Sequence, residues 1–230
     1  RRADGILAVS HGVAEDLALS TGLPRSRIEV IYNPIVTPDL DLRASAPVVH
    51  PWFLNGACRT VLAIGRLVPQ KDFSTLIRAF KIVSGETPDA RLVIFGEGAE
   101  KAALKRLVRE LDLNEKVDLP GFVPNPYPYL AKASVFVLSS IYEGLPGVLI
   151  EALYFGIPLV ATDCPSGTRE ILAGGQHGRL VPVGEPEVMA EAILSALSGK
   201  GPLPGREAWL PFESARVTGQ VLDRFGASHA

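Results

Sequence analysis

From Thr60 to Leu197 the chain alternates short apolar runs with longer stretches whose apolar residues recur at helical spacing. That rhythm leaves few folds open. Thr60–Ile64, Arg91–Phe95, Lys116–Leu119, Val135–Ser139, Pro158–Thr162 and Arg179–Val183 read as strands. Helices are predicted over Ser74–Ser84, Lys101–Leu111, Val148–Phe155 and Pro186–Leu197, with shorter helical turns at Tyr127–Lys132 and Thr168–Leu172. A terminal helix is predicted over Phe212–Phe225. The strand runs are near-continuously apolar, as strands covered on both faces must be. Strand and helix repeated in this way predict an α/β fold with a doubly wound parallel sheet. Such sheets bind ligands outside the carboxyl ends of their strands, so the informative residues should follow each strand.

Ahead of this repeat, Ile6–Val9 is a short apolar run, and Ser10 is placed to cap a helix over Val13–Leu19 that Gly22 and Pro24 close. Ile28–Tyr32 reads as a strand stopped by Asn33-Pro34. Residues 37–57 are proline-rich and without a sustained period, and read as a linker. With 47% apolar residues among 230 the chain can bury a real core. Acids exceed bases by only 2 (25 against 23), so no strong field draws in nucleic acid or anionic lipid. No apolar run approaches the ~18 residues of a membrane span. Cys58 and Cys164 are the only cysteines, which excludes a disulfide framework and a four-cysteine zinc site and fits a reducing compartment. The chain starts at Arg1, its only methionine is Met189, and no leader is read before Ala3. It is therefore expected to be a piece of a longer protein.

Four strand ends carry candidate chemistry. After the first stands Gly65-Arg66-Leu67-Val68-Pro69-Gln70-Lys71-Asp72. Gly65 permits a sharp turn, Arg66 offers a planar fork for phosphate oxygens, and Lys71 offers a compact charge. Together they suit a diphosphate, although two cations by themselves are more often a solvated surface. Gly96-Glu97-Gly98 follows the next strand and lets a ligand or a neighbouring loop approach the backbone. Gly121-Phe122-Val123 is either a turn plus core or an edge that meets a nucleobase. The richest segment runs from Ser139 to Ala152. Glu143 lies in its loop, Gly144 permits a tight backbone, Pro146 suits a first helical turn, and Glu151 falls within the helix. Free amides at that helix start favour phosphate. Carboxylates repel phosphate but accept hydrogen bonds from sugar hydroxyls. Glu151 sits among Leu149, Ile150, Ala152 and Leu153, so it is expected to be buried and to need a partner. His11 and His177 have no nucleophile or carboxylate spaced to form a triad and read as structural or exposed.

Glu143 and Glu151, with seven residues between them, resemble the E-x7-E motif of family 4 retaining glycosyltransferases of the GT-B fold. Gly65-Arg66 with Lys71, Gly96-Glu97-Gly98, Gly121-Phe122-Val123 and Gly156–Asp163 match the same family in the same order, over about Ala3 to Phe225. The segment Thr162–Glu170 resembles bacterial members that build surface polysaccharides or lipid-linked glycans. The resemblance implies that this is the C-terminal, donor-binding half of such an enzyme. It implies that residues 1–36 end the N-terminal acceptor domain and that 37–57 link the two. It implies that 58–198 form a Rossmann-like nucleotide-sugar domain, and that 199–230 return toward the N-terminal domain. Most of that acceptor domain, a partner of this half, would then be absent.

The family's roles, carried over residue by residue, make Arg66 and Lys71 the neutralisers of the donor diphosphate, in place of a metal and with no cofactor. Glu143 and the backbone of Gly144, Leu145, Pro146 and Gly147 would hold the donor sugar. Glu151 would take the ribose hydroxyls. Val123, with Gly65 and Gly98 nearby, would contact the nucleotide. Leu145 stands where a larger apolar side chain is common, which leaves the choice of sugar open. The donor expected is a UDP-sugar, with GDP as runner-up, and the acceptor a glycan or lipid-linked saccharide. A cytoplasmic place is implied, with a peripheral membrane contact through Lys101, Lys105, Arg106 and Arg109 as the less favoured reading of a solvated face. A nucleotide-sugar-binding fragment without transfer activity, and an epimerase or hydrolase of the same fold, are the alternatives. An NAD-dependent dehydrogenase is disfavoured by the glycine pattern after Ile64.

Overall fold

The computed structural model describes residues 5–54, 56 and 58–226. Ala3, where the family resemblance begins, and Ala57, the last residue assigned to the linker, lie outside them. Strands β1 (Ile6–Ala8) and β2 (Ile28–Val30) pair in parallel around helix α1 (His11–Thr21). Ser10 caps α1 by accepting from Val13 N, and Gly22, at φ 69°, closes it with an N–H to Ala18 O. A short helix α2 (Leu40–Ala44) follows. The main body then alternates β3 (Arg59–Ile64), α3 (Phe73–Glu86), β4 (Ala90–Phe95), α4 (Lys101–Glu110) and β5 (Val117–Gly121). It continues through α5 (Tyr127–Leu130), β6 (Val135–Leu138), α6 (Gly147–Tyr154), β7 (Leu159–Thr162), α7 (Thr168–Ile171), β8 (Arg179–Val181) and α8 (Pro186–Leu197). Helix α9 (Ser214–Phe225) ends the described chain.

The six main strands form one sheet in the order β5-β4-β3-β6-β7-β8, and every pairing is parallel. Alternate residues of each strand face opposite layers. Val61, Ala63, Leu92 and Ile94 join a core under α3, α4 and α8, while Leu62, Val93, Phe95 and Phe136 join one under α5 and α6. Burial on both faces is why the strands read as unbroken apolar runs. Pro120 sits in β5, an edge strand, where the missing N–H breaks no ladder.

Residues 37–57, read as a linker, are more structured than their sequence suggests. Leu40, Val48 and Phe53 are buried against the α5–α6 layer, and Leu40 is fully covered. Five helical residues are too few to show a period. The first and last described segments meet: Val36 bridges to Glu213 in parallel, and Arg224 of α9 ion-pairs with Glu29 of β2 at 2.5 Å. Among the described residues no helix is long and apolar enough to cross a membrane.

Candidate active site

β3 and β6 are neighbours, yet the chain leaves β3 toward β4 on one side and later crosses to β6 on the other. At such a reversal the following loops part and a crevice opens at the carboxyl ends. Residues 65–72 and 139–146 are those loops.

Lys71 is fixed by what flanks it. Asp72 adopts φ 41°, a left-handed conformation that Asp tolerates better than most residues, and caps α3. It accepts from Thr75 N at 3.2 Å and from the Ser74 and Thr75 hydroxyls at 2.7 and 2.6 Å. Ser139, at the end of β6, donates to the Lys71 carbonyl at 2.7 Å. The Lys71 Nζ donates to Glu143 Oε1 at 2.5 Å, and Ser140 Oγ donates to the same oxygen at 2.6 Å. The two charged side chains are only 14% and 8% exposed, so each is the other's main compensation for lost water. Sequence reasoning gave these residues separate tasks and missed the pair. They stand 72 residues apart, and no local spacing signals their contact.

The 143–147 loop is clasped on two sides. Ser10 Oγ donates to Gly144 O at 3.1 Å, and Glu143 N donates to Pro165 O at 3.2 Å. Leu145 is partly buried against the core, and Pro146 is buried. Gly147 begins α6, where an added Cβ would stand 3.2 Å from Ile35 Cδ1. Among the described residues no side chain caps α6: Leu149 N donates to Pro146 O at 3.0 Å, and the amides of Gly147 and Val148 stand ahead of the first intrahelical bond.

Beside Gly65, where an added Cβ would stand 3.3 Å from Lys71 Cε, lies a cleft of about 450 Å³ with largely apolar walls, and neither the 143–147 loop, Lys71 nor Glu151 is among its lining residues. Gly65, Arg66, Gly96, Phe122, Val123 and Tyr127 line it, together with Arg43. Arg66 is exposed, as a group meeting a ligand from solvent must be. Gly96 has φ 146°, and a Cβ there would fall 1.8 Å from Gly65 O, so only glycine lets the two loops meet. Gly98 is similar: a Cβ would fall 2.2 Å from Leu67 O, and it is not among the lining residues. Of the two readings of that Gly-x-Gly, the neighbouring loop accounts for Gly98, while Gly96 both admits that loop and lines the cleft.

Glu151 has the partner its burial demands. Tyr127 Oη donates to Glu151 Oε1 at 2.9 Å. Burial raises the Glu151 pKa above the usual carboxylate range, and the Tyr127 hydrogen bond and then the Arg43 charge pull it back. The Tyr127 phenol is pushed up to about 12, first by burial and then by the Glu151 charge. The Arg43 guanidinium lies 4.3 Å from the centre of the Tyr127 ring. Neither Tyr127 nor Arg43 was expected here. One read as a helical turn, the other as linker.

Lys71 and Glu143 thus sit together, Arg66 and Val123 line the adjoining cleft, and Glu151 connects to that cleft through Tyr127. His11 leaves its side chain 64% exposed, while its backbone N–H donates to Glu170 at 2.9 Å. Tyr32 Oη donates to the same carboxylate at 2.6 Å, and burial chiefly raises that phenol's pKa. These contacts hold α1 to α7 behind the clasped loop.

Comparison with known proteins bears on the family and the fold. A glycosyltransferase of Campylobacter jejuni, N-acetylgalactosamine-N,N'-diacetylbacillosaminyl-diphospho-undecaprenol 4-alpha-N-acetylgalactosaminyltransferase, is 36% identical over 85% of this chain and 51% of its own length. The lipopolysaccharide 1,6-galactosyltransferase of Escherichia coli is 29% identical over 80% of this chain and 49% of its own. The chain spans about half the length of these curated relatives. Anabaena HepE, solved in complex with UDP and glucose, shares the fold with a TM-score of 0.80 at 21% identity, covering 98% of this chain and 64% of that one. Residues 52–209 match the family described as glycosyl transferases group 1, and the chain belongs to that family.

Proposed function

We propose that this chain is the donor-binding half of a retaining glycosyltransferase, which moves a sugar from a nucleotide sugar to a glycan or lipid-linked acceptor. A UDP-sugar is the preferred donor. The observation that carries this reading is the Lys71–Glu143 pair, withdrawn from water at the strand switch point beside a cleft that Arg66 lines. The names of the Campylobacter and Escherichia relatives, both transferases on bacterial glycans, support it. So does the likeness to a fold solved with UDP.

As the glycosidic bond to the donor breaks, negative charge gathers on the departing diphosphate. Arg66, Lys71 and the uncapped start of α6 are the groups that meet it, and fixed positive groups of this kind need no reorganisation at the moment of reaction. They take the place of a metal ion in this proposal. Glu143 serves as an acceptor for sugar hydroxyls and as the keeper of Lys71. Its Oε1 already takes a proton donor from both Lys71 and Ser140, which blunts it as a nucleophile. A double displacement would use a bare carboxylate against the anomeric carbon. The site belongs on the cytoplasmic side, where nucleotide sugars are the donors, with the acceptor brought from a membrane-linked carrier.

The test is calorimetric titration of the chain with UDP and UDP-sugars, GDP beside them, followed by a transfer assay in the full-length protein. Arg66→Ala should weaken nucleoside-diphosphate affinity by tenfold or more and lower the transfer rate by ~10²–10³. Because Arg66 is exposed, stability should stay within ~0.5 kcal/mol. Unchanged affinity removes Arg66 from the site. Binding without transfer in the complete protein returns the chain to a binding module.

A further inference from the structure

Resting on the reading of the cleft as a nucleotide site, we propose that Tyr127 is a positioning residue for ribose recognition. It holds one oxygen of Glu151 so that the other is presented, and Arg43 of α2 clamps the Tyr127 ring. The chemistry is a carboxylate oriented by a neutral donor. Tyr127 Oη occupies Glu151 Oε1 at 2.9 Å, and among the described residues Oε2 accepts no hydrogen bond. Tyr127 also lines the cleft, so one side chain touches both the cavity and the acid behind it. Neighbours fix the ring rather than leaving it free to rotate away. Arg43 stacks on it at 4.3 Å, and Phe155 approaches it with ring centres 6.1 Å apart. Arg43 is itself tethered, since Asn125 Nδ2 donates to its carbonyl at 2.8 Å and Asp39 lies 3.9 Å from its guanidinium.

This arrangement gives α2 a task. Its residues are the least legible part of the sequence, yet α2 packs on α5 and delivers a cation to the wall of the cleft. A carboxylate held by one oxygen accepts the vicinal hydroxyls of a ribose in a single orientation. With the phenol removed, the acid keeps its burial and loses the donor that favours its charged form. From α5 the acid meets Tyr127 and from α2 Arg43, and Tyr127 also feels Asp39. Arg206 and Glu207 of the 206–208 turn and Arg169 and Glu170 of α7 add no charge interaction with Glu151, and β6, which also packs on α6, carries no charged residue.

The experiment measures affinity for UDP and for 2′,3′-dideoxy-UDP by calorimetry, in the wild type, Tyr127→Phe and Arg43→Ala, at about pH 6 and about pH 8. The two ligands share one diphosphate titration, so their ratio isolates the hydroxyls. Tyr127→Phe should lose ~tenfold in UDP affinity at the lower pH and less at the higher, with the dideoxy ligand nearly unchanged. Arg43→Ala should move the same ratio in the same direction by ~threefold. Equal losses for both ligands at both pH values would reduce Tyr127 to packing and overturn the proposal, as would no change in either. A wild type that fails to bind UDP, GDP or ADP breaks the reading of the cleft itself, whereas wild-type binding with an unmoved ratio breaks only the positioning role.

Discussion

The two glutamates of one short segment live in opposite surroundings. Glu143 is nearly covered and faces a full positive charge, with Ser140 as a second donor. Glu151, one helix turn pair further on, faces a phenol, with Arg43 at longer range. Burial acts on both, yet only the first is answered by an ion. A carboxylate paired with lysine loses its partner whenever an anion claims that lysine, so under the proposed function Glu143 is the acid that responds to a diphosphate. A carboxylate held by a neutral donor keeps that contact whatever arrives, so Glu151 is built to stay in place. The spacing of the two acids along the chain does not distinguish these tasks, and their partners, Lys71 for Glu143 and Tyr127 for Glu151, do.

The sharpest way to break the contrast is Lys71→Ala. It leaves Glu143 charged, covered and without its cation, and removal of one member of a buried pair typically costs about 3–5 kcal/mol. Urea unfolding should show most of that loss, and UDP titration should show affinity gone with it. The double variant Lys71→Ala/Glu143→Ala should recover much of the stability and none of the binding, because the unpaired charge goes but the diphosphate ligand does not return. If the double variant is as unstable as the single, the pair does not carry the burial assigned to it.

Gly96→Ala comes next in size. The new Cβ would collide with the Gly65 carbonyl from a backbone at φ 146°, so the loops after β3 and β4 must separate. Overpacking and backbone strain together should lower stability by about 3 kcal/mol and open the cleft wall. Gly22→Ala serves as the comparison. It also has positive φ, but nothing lies within 4 Å of the added atom, so strain acts without collision. The thermal-shift difference between the two variants measures the loop collision together with the extra strain of φ 146° over φ 69°.

Legibility followed the range of the forces involved. The inner strands β3, β4, β6 and β7 were readable because double-sided burial writes a near-continuous apolar run, and α3 because Leu76, Ile77, Phe80 and Val83 recur at helical spacing and are all fully buried. The Ser10 cap was readable because it acts over three residues. Glu151's need for a partner followed from its apolar neighbours, but the identity of that partner did not, since Tyr127 comes from another element. The Lys71–Glu143 contact and the Arg43 stack are long-range products of the sheet order, with no trace in local sequence. Residues 37–57 misled because prolines and short helices write no period, although Leu40 is as covered as any strand residue.

The smallest effect probes the neutral-donor side of the contrast. In the folded protein the Glu151 pKa is raised, chiefly by burial, above its unfolded value. A raised carboxyl favours folding while it is protonated, and that contribution fades as pH climbs through the folded pKa. Glu151→Gln keeps the shape and the acceptor for Tyr127 but removes the titration. The variant should therefore match or trail the wild type in acid and gain on it as pH rises toward neutrality, by a few degrees in Tm at most. Glu143→Gln should behave otherwise, because it strips Lys71 of its counter-charge and lowers stability at neutral pH instead. Melting curves of the two Gln variants against pH should thus diverge in sign. Parallel curves would mean that phenol and lysine hold their acids in the same way, and the division of labour between the two glutamates would fall.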